Sequence, residues 1–555
     1  MRAPINLPLR SSPSIRLVVS TSSSALSMLG AQIPVLIVGA GPTGLTMALS
    51  LAKHGVKTRV IEAALSAHEA IRGTAIVPRT LELLAILGVK EEFDAVALPP
   101  LEMAIYDEST GKNIVKAFEW SQPAQDSPTV PFRNVATISQ AKLEAILRNH
   151  LTASGCDVEY GKRLVGFTQD ADKVTALVEL SSGATESIDC LFLVAADGAK
   201  GRSRRLLDIP FVGETKEADR MVLANVNIPG FSREYWHRWG DFAKSAVALK
   251  PVEPAPLFQL GALGPTMAPG VPQDISALQA FFNSIARRED IVFQDASWIT
   301  EWRANIRMTE RLSSERVYLA GDAAHCHSPA GGQGINTGMQ DAFNLAWKLA
   351  LVLQEQASPA LLSTYGAERL PVIAEMLGLS NELHALAFAH MPAVPSGSAE
   401  TVDPMTRAAT VLQLGVNYRW SPIVSDIRGP TESISPYGSS NPGPLRAGDR
   451  TPFFGLEGTN LFRLLGECAP KHLVLIFPRE KASAEEKEPQ FEQGIAKIVV
   501  VRSDTAEEGE VRSAFDIVED KTVWVIVRPD GVLGAYLHSP IEVEAYFARL
   551  KRGGV

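Results

Sequence analysis

The residues whose types and spacing could do chemistry are concentrated in LAGDAAHCHSPAGGQGIN, Leu319 to Asn336. The stretch follows a short apolar strand, Val317 to Ala320. It carries an acid at Asp322, then Pro329, Gly331, Gly332, Gly334 and Asn336, and leads into a helical run, Gly338 to Leu353. Proline and clustered glycine cannot continue regular structure, so the spacing predicts a loop held between a strand and a helix N-terminus. Unpaired backbone N–H groups at such a terminus carry partial positive charge and suit an anion or an electron-rich ring edge. An ordinary strand-loop-helix connection can hold the same glycines, so this stretch does not decide alone. His325, Cys326 and His327 invite a metal reading, but adjacent side chains diverge and no further ligand cluster follows, so no metal is expected.

A second constellation stands near the N-terminus. Pro34 to Val38 is mostly apolar and β-branched, GAGPTG runs from Gly39 to Gly44, and a helix is predicted over Leu45 to His54. Gly39, Gly41 and Gly44 permit a tight turn, close approach of backbone to a pyrophosphate, and close packing of helix on strand. A second strand, Thr58 to Ile61, ends in Glu62, whose carboxylate can accept hydrogen bonds from a ribose. Arg72 lies just beyond; it reads either as a phosphate partner or as a surface arginine.

The elements around these residues are mixed. Short alternating segments from Glu102 to Phe132 predict strands of another sheet, and Ala141 to Leu151 predicts a helix after Gln140. A β-meander follows, then an apolar strand, Cys190 to Ala196, that ends in Asp197 and Gly198. Residues 210 to 310 add strands, including Met221 to Ile228 and Ala296 to Met308, and the rings of Trp236, Trp239, Phe242, Trp298 and Trp302. Such rings wall a pocket or pack a core. A stretch rich in Pro, Gly and Ser, residues 396–445, reads as a linker, and residues 446–555 as an α/β module of their own.

The 555 residues allow two to four domains. A net charge of −9 provides no basic excess to displace counterions, which argues against nucleic acid as a partner. The cluster Lys200, Arg202, Arg204 and Arg205 reads as solvated surface. Four scattered cysteines without a CxxC pair fit a reducing compartment, so a cytoplasmic location is expected. Residues 1–30 hold three arginines, seven serines from Ser11 to Ser24 and no acid. They read as a transit-like, mitochondrial leader, as disorder, or as an extension before Met28. Leu17 to Ala52 has no charged side chain, yet the glycines and Pro42 within it make a strand-turn-helix a better reading than a membrane span.

Three motifs in this order, GAGPTG with Glu62, Asp197-Gly198, and AGDAAHCHSPAGGQGINTGMQDAFNLAWKL, resemble the class A flavoprotein monooxygenases. That aromatic-hydroxylase family includes 4-hydroxybenzoate and phenol hydroxylases. The tail from GPLRAGDRTPF onward is similar to the thioredoxin-like domain of the phenol hydroxylase branch. The resemblance implies an α/β and α+β chain. A Rossmann-like FAD-binding domain spans 31–210 and 305–395, and a substrate-binding β-sheet is inserted at 100–133 and 211–304. The tail, 446–555, supports a homodimer.

The resemblance also implies FAD as cofactor, NAD(P)H as co-substrate, and hydroxylation of a small phenolic or electron-rich aromatic by O2 through a flavin C4a-hydroperoxide. Glu62 would hold the adenosine ribose, Arg72 and Gln140 would touch the cofactor, and Asp322 would bond the ribityl chain. Pro329 to Asn336 would border the isoalloxazine, and Asp197 belongs to the same cofactor set. Gly201 stands where the family usually has serine, and Thr74 where phenol hydroxylase has an acid, so no catalytic base is assigned. Epoxidation, Baeyer–Villiger insertion and oxidative decarboxylation are alternatives on the same fold. A non-catalytic FAD-binding assembly protein is an alternative of another class.

Overall fold

The computed structural model describes residues 33–553 except 69–70, 72, 242–243, 265–266, 268–269, 329–330, 389–406, 430–433, 439–442, 457, 480–493, 503–504 and 518–520. The readings of residues 1–30, Arg72, Phe242 and Pro329 therefore lie outside the described residues.

Five parallel strands form the centre of the eight-stranded first sheet, in the order Val317–Leu319, Thr185–Ala195, Ile33–Val38, Thr58–Glu62, Val158–Tyr160. Val35, Leu36 and Ile37 are fully buried, as a central parallel strand covered on both faces requires. Register places Val38 beside both Ala195 and Ile61, and Ala195 beside Leu319. The turn at Gly39, the end of the second strand at Glu62, Asp197 and Asp322 therefore leave the sheet along one edge.

Helices cover this edge. The first runs Pro42–Lys53, three residues ahead of its predicted start, because Gly41 is its N-cap and Pro42 occupies the first helical position, where a missing N–H does no harm. A helix at Gln140–Ala153 is capped by the Ser139 hydroxyl. Gly334–Leu353 also begins earlier than the predicted Gly338, because packing of its glycines overrides their poor propensity. In the meander, Val174–Leu180 pairs antiparallel with the outer half of the Thr185–Ala195 strand and with Lys162–Gln169 on its other side.

The second sheet has eight strands, and Glu102–Tyr106 lies parallel to Tyr235–Asp241 within it. Phe211–Asn227 is much longer than the predicted Met221 to Ile228. Its polar first half, GETKEADR, looks like loop in sequence and becomes strand through pairing with the end of Asp295–Thr309. A third sheet near the C-terminus has the order Ser425–Asp426, Leu533–Leu537, Val523–Val527, His472–Phe477, Ala496–Val500.

The stretch read as a linker departs from a solvated one in its described part. Arg407, Val411, Leu412, Gln413 and Tyr437 are buried. Gln413 donates to Gln333 Oε1 at 2.6 Å and to Tyr437 Oη at 2.9 Å. Its Pro, Gly and Ser content reflects turns pinned by such bonds rather than freedom.

Candidate active site

Glycine geometry builds the first end of the site. Gly39 has φ +103°, and a Cβ there would lie 2.3 Å from the Ala196 carbonyl oxygen. A Cβ on Gly44 would lie 2.0 Å from the Gly39 oxygen, whereas one on Gly41 would meet nothing within 4 Å. Two glycines thus let the helix close on the strands, and the third leaves the turn open. The Glu62 carboxylate accepts from Ala40 N and Ala64 N, both at 2.9 Å, which fixes it beside the turn.

Gly39, Ala40, Gly41, Glu62 and Ala64 line a trough of about 670 Å³ together with Asp197, Asp322, Gln140 and Gly334. Lys200, Arg202 and Arg205 line it as well, and Arg204 is buried, donating to the Ala323 oxygen at 2.9 Å. The basic cluster read as solvated surface therefore faces the trough, because the chain turns back under the sheet edge after Asp197. Burial pushes the Asp197 carboxyl up, while the Ser203 N–H and hydroxyl, donating at 3.0 and 2.9 Å, oppose the shift. A Cβ on Gly201 would lie 2.2 Å from that carboxyl carbon, so the residue replacing the family's serine is one that makes room for Asp197.

A second cavity of about 600 Å³ continues from the trough, sharing Gln140, Lys200, Asp322, Gly334 and Ile335 with it. Its far wall comes from the second sheet and includes Met103, Trp236, Lys250 and Trp302, with Trp120 beside them. The rings of Trp120 and Trp236 lie 5.7 Å apart. Trp239 is instead packed in the sheet's core against Tyr106 and Phe282, and Trp298 lines neither cavity.

Gly332, at φ +66°, and Gly334 border this cavity, and a Cβ on Gly334 would lie 3.1 Å from His327 Nε2. Gly331 and Asn336 do not line it. Asn336 is fully buried, accepts from Val77 N at 3.0 Å and donates to the oxygens of Ala75 and Gly332, so it fastens two loops together. The three residues without a role in sequence also separate. His325 Nε2 lies 2.6 Å from Asp341 Oδ2, the oxygen that accepts from Gly321 N; Cys326, paired with Arg307 at a strand edge, and His327 both border the cavity. Burial pushes His327 down, which favours its neutral form.

Sequence reasoning missed Lys250, Lys200, His327 and Asp341. Nothing local marks the first three, whereas the GMQD run ahead of a long apolar helix was a visible signal for Asp341.

The trough and cavity fit a flavin dinucleotide. The turn at Gly41 is unobstructed, the buried Asp197 Oδ1 has no hydrogen-bond partner, and Lys200, Arg202 and Arg205 give the trough basic groups that suit a pyrophosphate. The FAD binding domain family matches residues 32–380. A flavin-dependent monooxygenase of Mycobacteroides abscessus is 33% identical over 93% of this chain and 99% of its own length. The pentachlorophenol 4-monooxygenase of Sphingobium chlorophenolicum is 30% identical over 85% of this chain and 86% of its own. The flavin-dependent monooxygenase PieE in complex with FAD and substrate shares the fold, with TM-score 0.76, 21% identity, and 94% and 100% of the two chains covered. With a dinucleotide trough built from the motifs that the family matches, and relatives aligned along nearly their whole length, the chain belongs to the class A FAD-dependent monooxygenases.

Proposed function

We propose that the protein uses NAD(P)H and O2 to hydroxylate a phenolic or other electron-rich aromatic small molecule. The aromatic-walled cavity opening directly from the flavin trough carries this reading, because it sets a flat apolar substrate beside the reactive end of the cofactor. The pentachlorophenol enzyme, named for a phenol, agrees in class.

FAD, when bound, supplies the redox and oxygen chemistry. The protein's own residues bind, orient and enclose. Glu62 would hold the adenosine ribose, the Lys200 side phosphate, and Asp197 and Asp322 the central chain, while Arg72, outside the described residues, keeps its sequence-based assignment to the cofactor. Gln140, Gly332 and Gly334 would border the ring end, with Asn336 and Gly331 supporting that loop from behind; Pro329, outside the described residues, keeps its sequence-based assignment to the same border. The N-terminus of Gly334–Leu353 offers unpaired N–H groups that stabilise negative charge there. The sheet wall excludes water and aligns the ring to be attacked.

Purified protein should be yellow; a colourless preparation that takes up no added FAD contradicts the reading. Aromatic compounds should be screened for stimulated NAD(P)H oxidation under isotope-labelled O2, with mass spectrometry of products. One labelled oxygen on the ring supports hydroxylation, whereas an epoxide, ester or decarboxylated product redirects it to the alternatives.

The same proposal includes the division into an FAD-binding domain, 31–210 with 305–395, and a substrate sheet, 100–133 with 211–304. It also includes a thioredoxin-like module at 446–555. The order of its last four strands, a parallel pair extended by two antiparallel strands, supports that module. A homodimer and a cytoplasmic location belong to this reading too, and sedimentation and cell fractionation test them. No helix among the described residues is long and apolar enough to cross a membrane.

A further inference from the structure

Lys250 sits near the end of the strand Ser245–Pro251, on the wall shared by the aromatic cavity and a smaller one beside it. It is buried, 7% exposed. Its Nζ donates one hydrogen bond, to Thr74 Oγ1 at 3.0 Å, and lies 4.9 Å from the centre of the Trp236 ring. An ammonium has three donors, and a buried one is normally paired with an anion. Lys348 shows the usual solution, with Glu368 at 2.8 Å. Among the described residues Lys250 has no such ion pair. Glu253 is the carboxylate whose charge acts on it; its Oε1 accepts from Ser139 N at 2.5 Å, and its buried Oε2 has no hydrogen-bond partner and makes no bond to Lys250. The charged groups lining the same cavity are Lys200, Arg238, Glu301, Arg303 and Asp322, with Cys326 and His327 the other titratable ones, and Glu102 and Glu119 line the smaller cavity. Burial pushes Lys250 down to about 8, so its neutral amine is accessible near physiological pH. Thr74, the residue found where phenol hydroxylase carries an acid, is the one that seats it.

The geometry points to Lys250, oriented by Thr74, as the group that receives and ionises the hydroxyl of a phenolic substrate. The inference rests on the aromatic hydroxylase reading. The phenol O–H bond breaks, its electron pair stays on the oxygen, and the proton forms a new N–H bond on neutral Nζ. The resulting ammonium pairs with the phenolate, no electrons are transferred, and the ring becomes richer in electrons. Trp236 and Trp120 hold the ring, and Lys250 selects substrates with a hydroxyl at that end of the cavity.

The test uses FAD-loaded wild type, Lys250→Met, Lys250→Arg and Thr74→Val, with 4-nitrophenol as probe, since its anion absorbs visibly. Bound to wild type, the probe should ionise about one pH unit or more below the free compound, a tenfold change in its ionisation equilibrium. Lys250→Met should abolish the shift, Thr74→Val reduce it, and Lys250→Arg retain part of it through fixed charge. FAD content reports folding; should Lys250→Met lose FAD, Thr74→Val decides. A wild-type shift undiminished in the deciding variant, no shift in wild type, or no binding at millimolar probe overturns the inference. The readout needs no turnover. Loss of the shift in wild type with a hydroxylated product still formed overturns Lys250 alone, whereas a shift without any hydroxylated aromatic overturns the underlying function.

Discussion

At the scale of single residues, the site uses charges in two ways. Glu62 is fixed by two backbone N–H groups and is thereby pre-organised for its ligand. Glu62→Ala should weaken FAD binding by about ten- to a hundredfold, the worth of one charged hydrogen-bond set, without changing product identity; flavin titration and product analysis check both. Asp322→Ala should lower FAD occupancy in a folded protein, and unchanged flavin content contradicts its placement. Lys250 is the opposite case, a charge with little support. Its pKa falls from 10.5 in the unfolded chain to about 8 in the folded one. Between those values the folded state binds fewer protons, so this group makes stability rise with pH across that window and fall as pH drops toward 8. Below 8 the full penalty remains, on the order of 3 kcal/mol. Lys250→Met is therefore expected to be at least as stable as wild type at pH 7, with the advantage shrinking toward pH 10; chemical denaturation at both values measures it.

At the scale of elements, the site depends on how closely two helices cross. Thr43, in the first helix, fills the space between Gly321 and Gly338: added Cβ atoms would lie 2.5 and 2.4 Å from its Oγ1. Gly338→Ala should cost about 1–3 kcal/mol through overpacking. The loss should be smaller in a Thr43→Ala background, where the approaches left would be 3.1 Å to Gly321 Cα and 3.7 Å to Thr43 Cβ. A double-mutant cycle by denaturation measures this, and additive losses would show that the crossing is not the cause. Behind the Asp322 turn, Asp341 accepts from Arg369 Nε at 2.7 Å and from Gly321 N at 3.1 Å, with His325 on the same carboxylate. Burial pushes Asp341 up, yet Arg369 and His325 hold it below the usual carboxylate range. The turn is thus tied to the long helix by a charge pair out of reach of water.

At the scale of the whole molecule, the C-terminal sheet is joined to the flavin domain through buried charge. Arg528 donates to Glu368 at 2.8 and 2.9 Å; Lys348 and Ser421 reach the same carboxylate, and Arg528 also pairs with Asp530. Arg79 donates to the Asp530 oxygen at 2.8 Å and to Glu82, which also receives Arg450. Removing one member leaves others buried and unpaired, so Glu368→Ala should destabilise by about 3–5 kcal/mol. Limited proteolysis should then release the tail first; a variant as stable and protease-resistant as wild type would contradict this docking role.

The sequence by itself determined the parallel flavin sheet, its glycine turn, Glu62 and Asp322, because strand, turn and helix there are neighbours in the chain and their periodicities are local. It also announced the Leu319 to Asn336 loop. Only the tertiary structure decided which of those loop residues face the cavity: Gly332 and Gly334 do, whereas Asn336 turns inward to tie Val77. Lys250 and Trp236 reach the site from strands far along the chain, and the basic run from Lys200 joins it by folding under the sheet edge. An isolated lysine carries no periodic or spacing signal. Its proposed role arises from burial and from the lack of an ion pair among the described residues, and both exist only in the folded second sheet.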